Sequence, residues 1–309
     1  MIFEARLPEP AARVTVIIPT WERTIFLEEA LRSVLAQTRP VHQILIVDDG
    51  SGAAARHEAE RLAGLSDRIE CHCLPEHRGA AAARNWGLDL ASGDYVLFLD
   101  DDDWLHPCMV ESSLALLESD ASLDVVVCHH TLFCTSQGAP GFWLPSPLPE
   151  AMERRPFSTL LRCSAPVNTY LIRRASIGAV RFPEDLAYGE DVYFRLALCR
   201  YGLRFAARRE RHAMVRRHGR NVTRSETARH HEVRKMYRRL LAEQMVDRRD
   251  DYVLLQLKLA YCEWKCGNAA WLSHLGRACR HPLLLLGEFA AVAVRALHDP
   301  RGFLRHVLA

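Results

Sequence analysis

Lysine is almost missing from this chain: of its forty Lys and Arg residues only Lys235, Lys258 and Lys265 are lysine. A formal net charge of +2 gives no strong electrostatic reason to expect a polyanionic partner. No apolar run reaches the ~20 residues that span a bilayer, so no transmembrane helix is expected. The opening Met-Ile-Phe-Glu-Ala-Arg-Leu-Pro-Glu-Pro lacks the basic start and apolar core of a secretory leader. The expected location is the cytoplasm, with the inner face of the membrane as a peripheral site. Zinc-type cysteine pairs are missing too. Cys71-x-Cys73 and the Cys262/Cys266 spacing do not make a C-x-x-C set, and neither His72 nor His77 completes one. The ten cysteines are therefore expected to be free thiols in a reducing compartment. Internal repeats and low-complexity segments are also absent.

With 309 residues and 49% hydrophobic composition, the chain can bury a sizeable core, as one large domain or one domain with an appendage. Short apolar runs alternate with helical patterns. Val14 to Ile18 reads as a first strand, Leu27 to about Gln37 as a helix, and Ile44 to Val47 as a second strand. A helix over Ala53 to Ala63, a strand over Ile69 to Leu74 and a helix over Arg78 to Ala91 follow. The run from Tyr95 is a further strand, with a helix over Cys108 to Glu118 and a strand over Asp124 to Cys128 behind it. This alternation predicts βαβ units, an α/β class and a mostly parallel sheet with ligands at the carboxyl ends of its strands.

The proline-rich stretch from Gln137 to Pro156 reads as loop, Thr169 to Ile172 as a strand, and the residues after Asp191 as a packed helix. Phe205 and Ala213 to Val215 read as edge strands. Beyond Asn221 the pattern is helical only, with Val233, Met236, Tyr237, Leu240 and Leu241 forming one stripe. A boundary near residue 220 separates the two characters. Leu283 to Val294 is apolar but interrupted by Glu288, which suits a helix packed in the core or in a homodimer, with an interfacial membrane helix as the alternative.

Four consecutive carboxylates, Asp100 to Asp103, end the run Tyr95-Val-Leu-Phe-Leu. Two unit charges ~6 Å apart at an effective dielectric of ~20 repel by about 3 kcal/mol, so such a cluster is costly without a cation. In an extended backbone Asp100 and Asp102 face the same way and Asp101 points elsewhere. Hard oxygen ligands suit Mg²⁺ or Mn²⁺, which can in turn hold a diphosphate. Taken alone, the cluster reads equally well as a solvated acidic turn.

Its neighbours favour the first reading. Val16-Ile17-Ile18-Pro19-Thr20, Ile46-Val47-Asp48-Asp49-Gly50-Ser51, Arg78-Gly79 with Ala83-Arg84-Asn85-Trp86-Gly87, Phe98-Leu99-Asp100-Asp101-Asp102-Asp103 and Gly189-Glu190-Asp191 occur in the order of the family 2 glycosyltransferases. The chain resembles that family over roughly residues 13 to 223. The resemblance implies a GT-A-type, mostly parallel sheet sandwiched by helices over 1–220, with an α-helical C-terminal extension over 221–309. It implies inverting transfer of a sugar from a nucleoside-diphosphate sugar, with UDP favoured, to a saccharide or lipid-linked acceptor, in bacterial polysaccharide, lipopolysaccharide or glycoconjugate synthesis.

By the same resemblance, Pro19, Thr20, Trp21, Glu22, Asp48, Asp49, Arg78, Arg84, Asp100 and Asp101 would serve the donor. Trp21 would stack on the base and Asp48 or Asp49 would accept from it. Asp102, with Asp100 and His218, would hold Mn²⁺ or Mg²⁺, and Asp103 would support them from behind. Asp191 would be the general base, with Glu190 the alternative. The family usually has Tyr-Asn where this chain has Trp21-Glu22, which puts a hydrogen bond from the Asn position in question. Arg217-His218, Asn221 and Thr223 resemble a shortened form of a late family motif.

Two other readings compete. A metal-dependent nucleotidyltransferase would use the same groups but release pyrophosphate. An arginine-rich nucleic-acid-binding module is suggested by Arg204, Arg208, Arg209, Arg211, Arg216, Arg217, Arg220 and Arg224. It lacks an RNA-binding aromatic motif, and an acidic cleft repels a phosphate backbone.

Overall fold

β-Branched residues favour an extended backbone, and Val14–Thr20 forms β1 with every residue buried. Leu27, Ala30, Leu31 and Val34 then recur at helical spacing and are the buried face of α1 (Leu27–Leu35). The computed structural model describes residues 12–134, 149–163, 165–217 and 226–288. The elements that follow are β2 (Gln43–Asp48), α2 (Ala53–Ala63), β3 (Ile69–Cys73), α3 (Ala80–Leu90), β4 (Tyr95–Phe98), β5 (Trp104–Leu105), α4 (Met109–Ser119) and β6 (Val125–Cys134). After them come α5 (Pro149–Arg154), α6 (Pro156–Arg162), a 3₁₀ turn (Val167–Thr169), β7 (Tyr170–Arg173), α7 (Arg174–Ile177), α8 (Glu190–Arg200) and β8 (Phe205–Arg217). Three further helices follow, α9 (Glu226–Ala242), α10 (Arg249–Lys265) and α11 (Trp271–Cys279), before a last helical stretch over 282–288.

One sheet carries the strands in the order β3-β2-β1-β4-β7-β6-β8-β5. The first four are parallel. β7 is antiparallel to both β4 and β6, β8 is parallel to β6, and the two-residue β5 closes the edge antiparallel to β8. The expected parallel sheet is thus parallel on one side of β4 and mixed on the other.

Alternation along the strands divides the core in two. Val16, Ile18, Ile44, Ile46 and Leu97 face Leu27, Leu31, Leu62 and Leu114, from α1, α2 and α4. Ile17, Leu45, Val47 and Phe98 face Ala83, Leu160 and Phe194, from α3, α6 and α8. Met236, Leu240 and Leu255, from α9 and α10, join this second core, so the C-terminal helices pack on the same side as α8. Each fully buried side chain of this size contributes ~1.5–3 kcal/mol, so both faces hold the sheet.

Close approach of α3 to the sheet rests on Gly87. A Cβ there would lie 2.5 Å from Ile17 Cγ2 and 3.3 Å from Val47 Cγ2. Both neighbours are fully buried and β-branched, so neither can swing away. Gly87→Val is expected to cost ~1–3 kcal/mol by overpacking, read as a lower urea midpoint. An unchanged midpoint would mean that the helix can lift off without cost.

Three sequence expectations change. The described end of the stretch up to Pro156 holds α5 rather than loop, and α6 begins at its last residue; Pro149 and Pro156 stand at first helical positions, where a missing N–H is harmless. Residues 135–148 lie outside the described part. β6 runs on to Cys134, and Phe205 to Arg217 is one strand lying between β6 and β5 instead of two edge strands. Pairing across a register shift between Val127 and His130 extends both.

The 282–288 stretch is helical, with Leu283 82% and Leu286 64% exposed, and Glu288 pairs with Arg162. In the described half of the Leu283 to Val294 run, Leu284 and Leu285 are partly buried while Leu283 and Leu286 face outward, and Glu288 ties its end to Arg162. The rest lies outside the described residues. Among the described residues no helix is long and apolar enough to cross a membrane.

Candidate active site

The sheet order reverses at β1 and β4: β2 continues from β1 on one side, β4 lies on the other, and a crevice opens at their carboxyl ends. Both loops at this switch point are polar. The β1 loop carries Thr20 to Arg23, and the chain after β4 carries the four aspartates. Thr20 Oγ1 joins them, 2.8 Å from Asp101 Oδ2.

The aspartates are held in a turn, with the Asp103 N–H donating to the Asp100 carbonyl at 3.1 Å. This brings one carboxylate oxygen from each of Asp100, Asp102 and Asp103 within 4.8 Å of one another. Asp101 points away, to Thr20 and to Arg23 Nη2 at 2.9 Å. Asp100 and Asp102 converge as expected, but the strand ends at Phe98, so it is the turn and not an extended backbone that brings them together with Asp103.

Both Asp103 oxygens are already used, one accepting from the Arg216 N–H and one from Asn168 Nδ2, each at 2.7 Å. Asp103 is therefore held by other partners, whereas the Asp100 side chain is 37% exposed and Asp102 is buried beside it. Burial pushes the Asp103 carboxyl well above the usual range, and the charges of Asp100 and Asp102 add to the rise. Burial likewise pushes Asp101 up to about 7, against the opposing charge of Arg23. A set of hard oxygens of this density fits Mg²⁺ or Mn²⁺.

Three arginines reach this turn among the described residues. Arg84, on α3, is buried and bridges Asp100 Oδ1 at 2.7 Å and Glu190 Oε1 at 2.8 Å. Arg216, at the end of β8, lies between the rings of Phe26 and Trp104 and donates from Nε to the Asp102 carbonyl at 2.9 Å. Arg23 spans Asp101 and Asp102. Arg84 was legible in the sequence as a site residue. Arg23 stands beside the Thr20-Trp21-Glu22 loop, and its pairing emerges only when β1 meets β4. Asn168 carried no sequence signal at all.

At the end of β2, Asp48 and Asp49 are nearly fully buried, and the Asp49 N–H donates to the Thr20 carbonyl at 2.9 Å. Asp48 Oδ2 accepts from the Ser51 N–H at 3.2 Å, which shapes the turn. Asp49 accepts from the backbone N–H groups of Arg78 at 2.9 Å and Gly79 at 2.7 Å, so it fastens the entry of α3 to the end of β2. Trp21 is 46% exposed, which excludes core packing for it, and it stacks on His77 at 3.9 Å between ring centroids. His77 Nδ1 lies 2.8 Å from Asp49 Oδ2. An exposed aromatic pair thus borders the buried carboxylate, which suits a flat nitrogenous ring.

Glu22 has φ +52°, the left-handed region that Asn tolerates better than Glu. Here the Glu22 carboxylate accepts from Gly52 N at 2.6 Å, at the amino end of α2. The Arg78 guanidinium is half-exposed and turned to Glu184 at 2.6 Å, and the segment's contact with Asp49 is made by its backbone.

Glu190 and Asp191 occupy the first turn of α8. Asn85 pairs with the backbone of Phe182 in both directions, at 2.9 Å each, so α3 fixes the segment leading to them. Burial pushes the Glu190 carboxyl up against the pull of Arg84, and the Asp191 charge adds to the rise. Asp191 is more exposed, 28% against 14% for its side chain and that of Glu190. Arg195 Nη2 holds Asp191 Oδ2 at 3.2 Å, a pairing at i, i+4 that the sequence could have disclosed. Among the described residues Oδ1 has no partner. His218, Asn221 and Thr223 lie outside the described residues.

A three-layer α/β sandwich with an acidic turn at its switch point, an aromatic ledge beside it and a second acidic pair across a buried arginine defines a GT-A glycosyltransferase. Residues 15–175, just over half of the chain, match the model described as "Glycosyl transferase family 2", and the chain belongs to that family. An uncharacterised glycosyltransferase of Haemophilus influenzae is 28% identical over 58% of this chain and 70% of its own. A putative teichuronic acid biosynthesis glycosyltransferase, TuaG of Bacillus subtilis, is 36% identical over 34% of this chain and 41% of its own.

Among solved structures, S. aureus TarS 1-349 in complex with UDP-GlcNAc superposes with a TM-score of 0.63 at 19% identity, covering 86% of this chain and 80% of that one. The mannosyltransferase PcManGT of Pyrobaculum calidifontis, in complex with GDP-Man and Mn²⁺, gives 0.62 at 18% identity over 95% and 83%. Likeness at this identity establishes the fold.

Proposed function

We propose that this glycosyltransferase moves a sugar from a nucleoside-diphosphate sugar to an acceptor hydroxyl with inversion, using Mn²⁺ or Mg²⁺. The observation that carries the reading is the pair of acidic sites joined by Arg84: Asp100 and Asp102 at the end of β4, Glu190 and Asp191 on α8. Donor complexes of the fold relatives, with UDP-GlcNAc in one and GDP-Man with Mn²⁺ in the other, support a nucleotide-sugar donor. The base lies over Trp21 with Asp49 beneath it, and Asp100 and Asp102 hold the cation. A bound divalent cation neutralises the diphosphate and so stabilises it as a leaving group.

Asp191 Oδ1 takes the proton of the acceptor hydroxyl while that oxygen attacks the anomeric carbon from the face opposite the diphosphate. One displacement inverts the configuration. Arg195 orients the base, and Arg84 holds Glu190 and Asp100 in fixed relation. UDP is the favoured nucleotide and a saccharide or lipid-linked acceptor the favoured partner, in bacterial polysaccharide, lipopolysaccharide or glycoconjugate synthesis. The teichuronic acid role in the name of the B. subtilis relative supports that setting.

Exposed Trp264, Leu272, Leu283 and Leu286, in a stretch with no acidic residue between Glu263 and Glu288, support peripheral contact with an anionic membrane surface. The test of the enzymatic reading is a panel of UDP-, GDP- and dTDP-sugars assayed for metal-dependent donor hydrolysis and thermal stabilisation. The expected result is one nucleotide class giving both effects with Mn²⁺ and neither with EDTA. A panel without any metal-dependent response contradicts the reading.

A further inference from the structure

The three arginines at the acidic turn are not equivalent. Arg84 and Arg216 are buried, with side chains 6% and 9% exposed, and each is locked from several sides. Arg84 bridges two carboxylates, and Arg216 is stacked between two rings and paired to Glu29. The Arg23 side chain is 26% exposed and sits on the loop after β1. Its Nη2 lies 2.9 Å from Asp101 Oδ1 and its Nη1 3.2 Å from Asp102 Oδ2. Asp102 is also one of the three residues whose oxygens converge within 4.8 Å. One carboxylate therefore serves both the guanidinium and any cation at the cluster.

We infer that Arg23 is an internal counter-ion of the metal site, competing with the divalent cation for Asp102, so that the metal binds weakly alone and tightly only with the donor diphosphate. This rests on the metal-dependent reading given above. A guanidinium on Asp102 neutralises part of the charge that would attract a cation, and a divalent ion at the cluster places like charges side by side. Either Arg23 leaves Asp102 or the repulsion persists. An anionic diphosphate resolves the conflict in both cases, because it accepts from the arginine and ligates the metal at once.

Asp101 gives the arginine a place to remain. It is not among the three residues whose oxygens converge, and Thr20 is its second partner. The consequence is ordered loading: the cation and the nucleotide enter together, and free metal does not saturate the enzyme. Arg23 is in this sense a positioning residue for the cation.

The test is Mn²⁺ affinity, measured by electron paramagnetic resonance and by calorimetry, with and without UDP, for the wild type, Arg23→Gln and Arg23→Lys. GDP and dTDP are run in parallel. Arg23→Gln is expected to bind Mn²⁺ alone ~10-fold more tightly, since it removes a neighbouring positive charge. The strengthening of Mn²⁺ by nucleotide should shrink by a similar factor. Arg23→Lys keeps the charge but cannot span two carboxylates, and should fall between the two.

If Arg23→Gln does not fold, Arg23→Lys decides the matter: Mn²⁺ affinity above that of the wild type is expected. Equal or weaker Mn²⁺ binding in the folded variants, while the wild type still binds Mn²⁺ with nucleotide, overturns the inference and leaves the metal site standing. No Mn²⁺ uptake by any form, with any of the diphosphates, overturns the metal-dependent reading and the inference with it.

Discussion

Asp191→Asn is expected to lower turnover by ~10²–10⁴-fold, the usual contribution of a positioned general base, while donor and metal binding stay nearly intact. The residue sits on the first turn of α8, with Oδ2 held by Arg195 and Oδ1 without a described partner. The amide preserves the shape and can still accept from Arg195, but it cannot take a proton. The measurement is steady-state turnover on the donor and acceptor found by the panel, beside calorimetry of Mn²⁺ and nucleotide.

Glu190→Gln is the companion. Glu190 is bound to Arg84 and less exposed, so its loss should act mainly by loosening the bridge to Asp100. If Asp191→Asn keeps near-normal turnover and Glu190→Gln does not, Glu190 is the base. If neither change matters, this acidic pair has no part in the transfer.

Asp102→Ala should act on binding instead. It deletes one of the converging carboxylates of the cluster, which is also one of the two that hold Arg23. Groups that merely orient a metal ligand are worth ~10–100-fold in affinity, so loss of a ligand should weaken Mn²⁺-dependent nucleotide binding by at least ~100-fold. Nucleotide affinity without metal should change little, because Trp21 and His77, the exposed ring pair assigned to the base, make no contact with Asp102 among the described interactions. Calorimetry with Mn²⁺ and with EDTA separates the two. Equal loss under both conditions would mean that Asp102 holds the fold of the turn and not a cation.

The parts of this architecture that could be read from sequence are those set by local pattern. β1, β2 and β4 are short, almost wholly apolar runs bounded by polar turns, and each appears where its run predicts. α1 and α3 follow from their spacing. β8 was not legible as one strand because Arg208, Arg209, Glu210 and Arg211 break its apolar alternation. Pairing to β6 and β5 overrides that break.

The arginines of this region also read differently once placed. Arg208 lies against Glu210 and donates to the Ser112 carbonyl, and Arg216 is buried at the acidic turn.

At the site, chemistry carried by neighbours in sequence was readable and chemistry carried by neighbours in space was not. Four consecutive aspartates mark the acidic cluster in the sequence, and the turn that holds them sets which of their oxygens converge. Nothing local shows that Asp103 is consumed by Asn168 and Arg216, or that Asp49 fastens α3 through two backbone amides. The +52° φ at Glu22 makes the same point: nothing in the local sequence shows that this position takes a left-handed backbone.

The most direct test of the central claim is proton NMR of the reaction with the donor selected by the panel, an acceptor, and Mn²⁺. The account predicts release of a nucleoside diphosphate and a product whose anomeric configuration is opposite to the donor's, both lost on adding EDTA. Release of pyrophosphate, or a product that retains the donor's configuration, would contradict it.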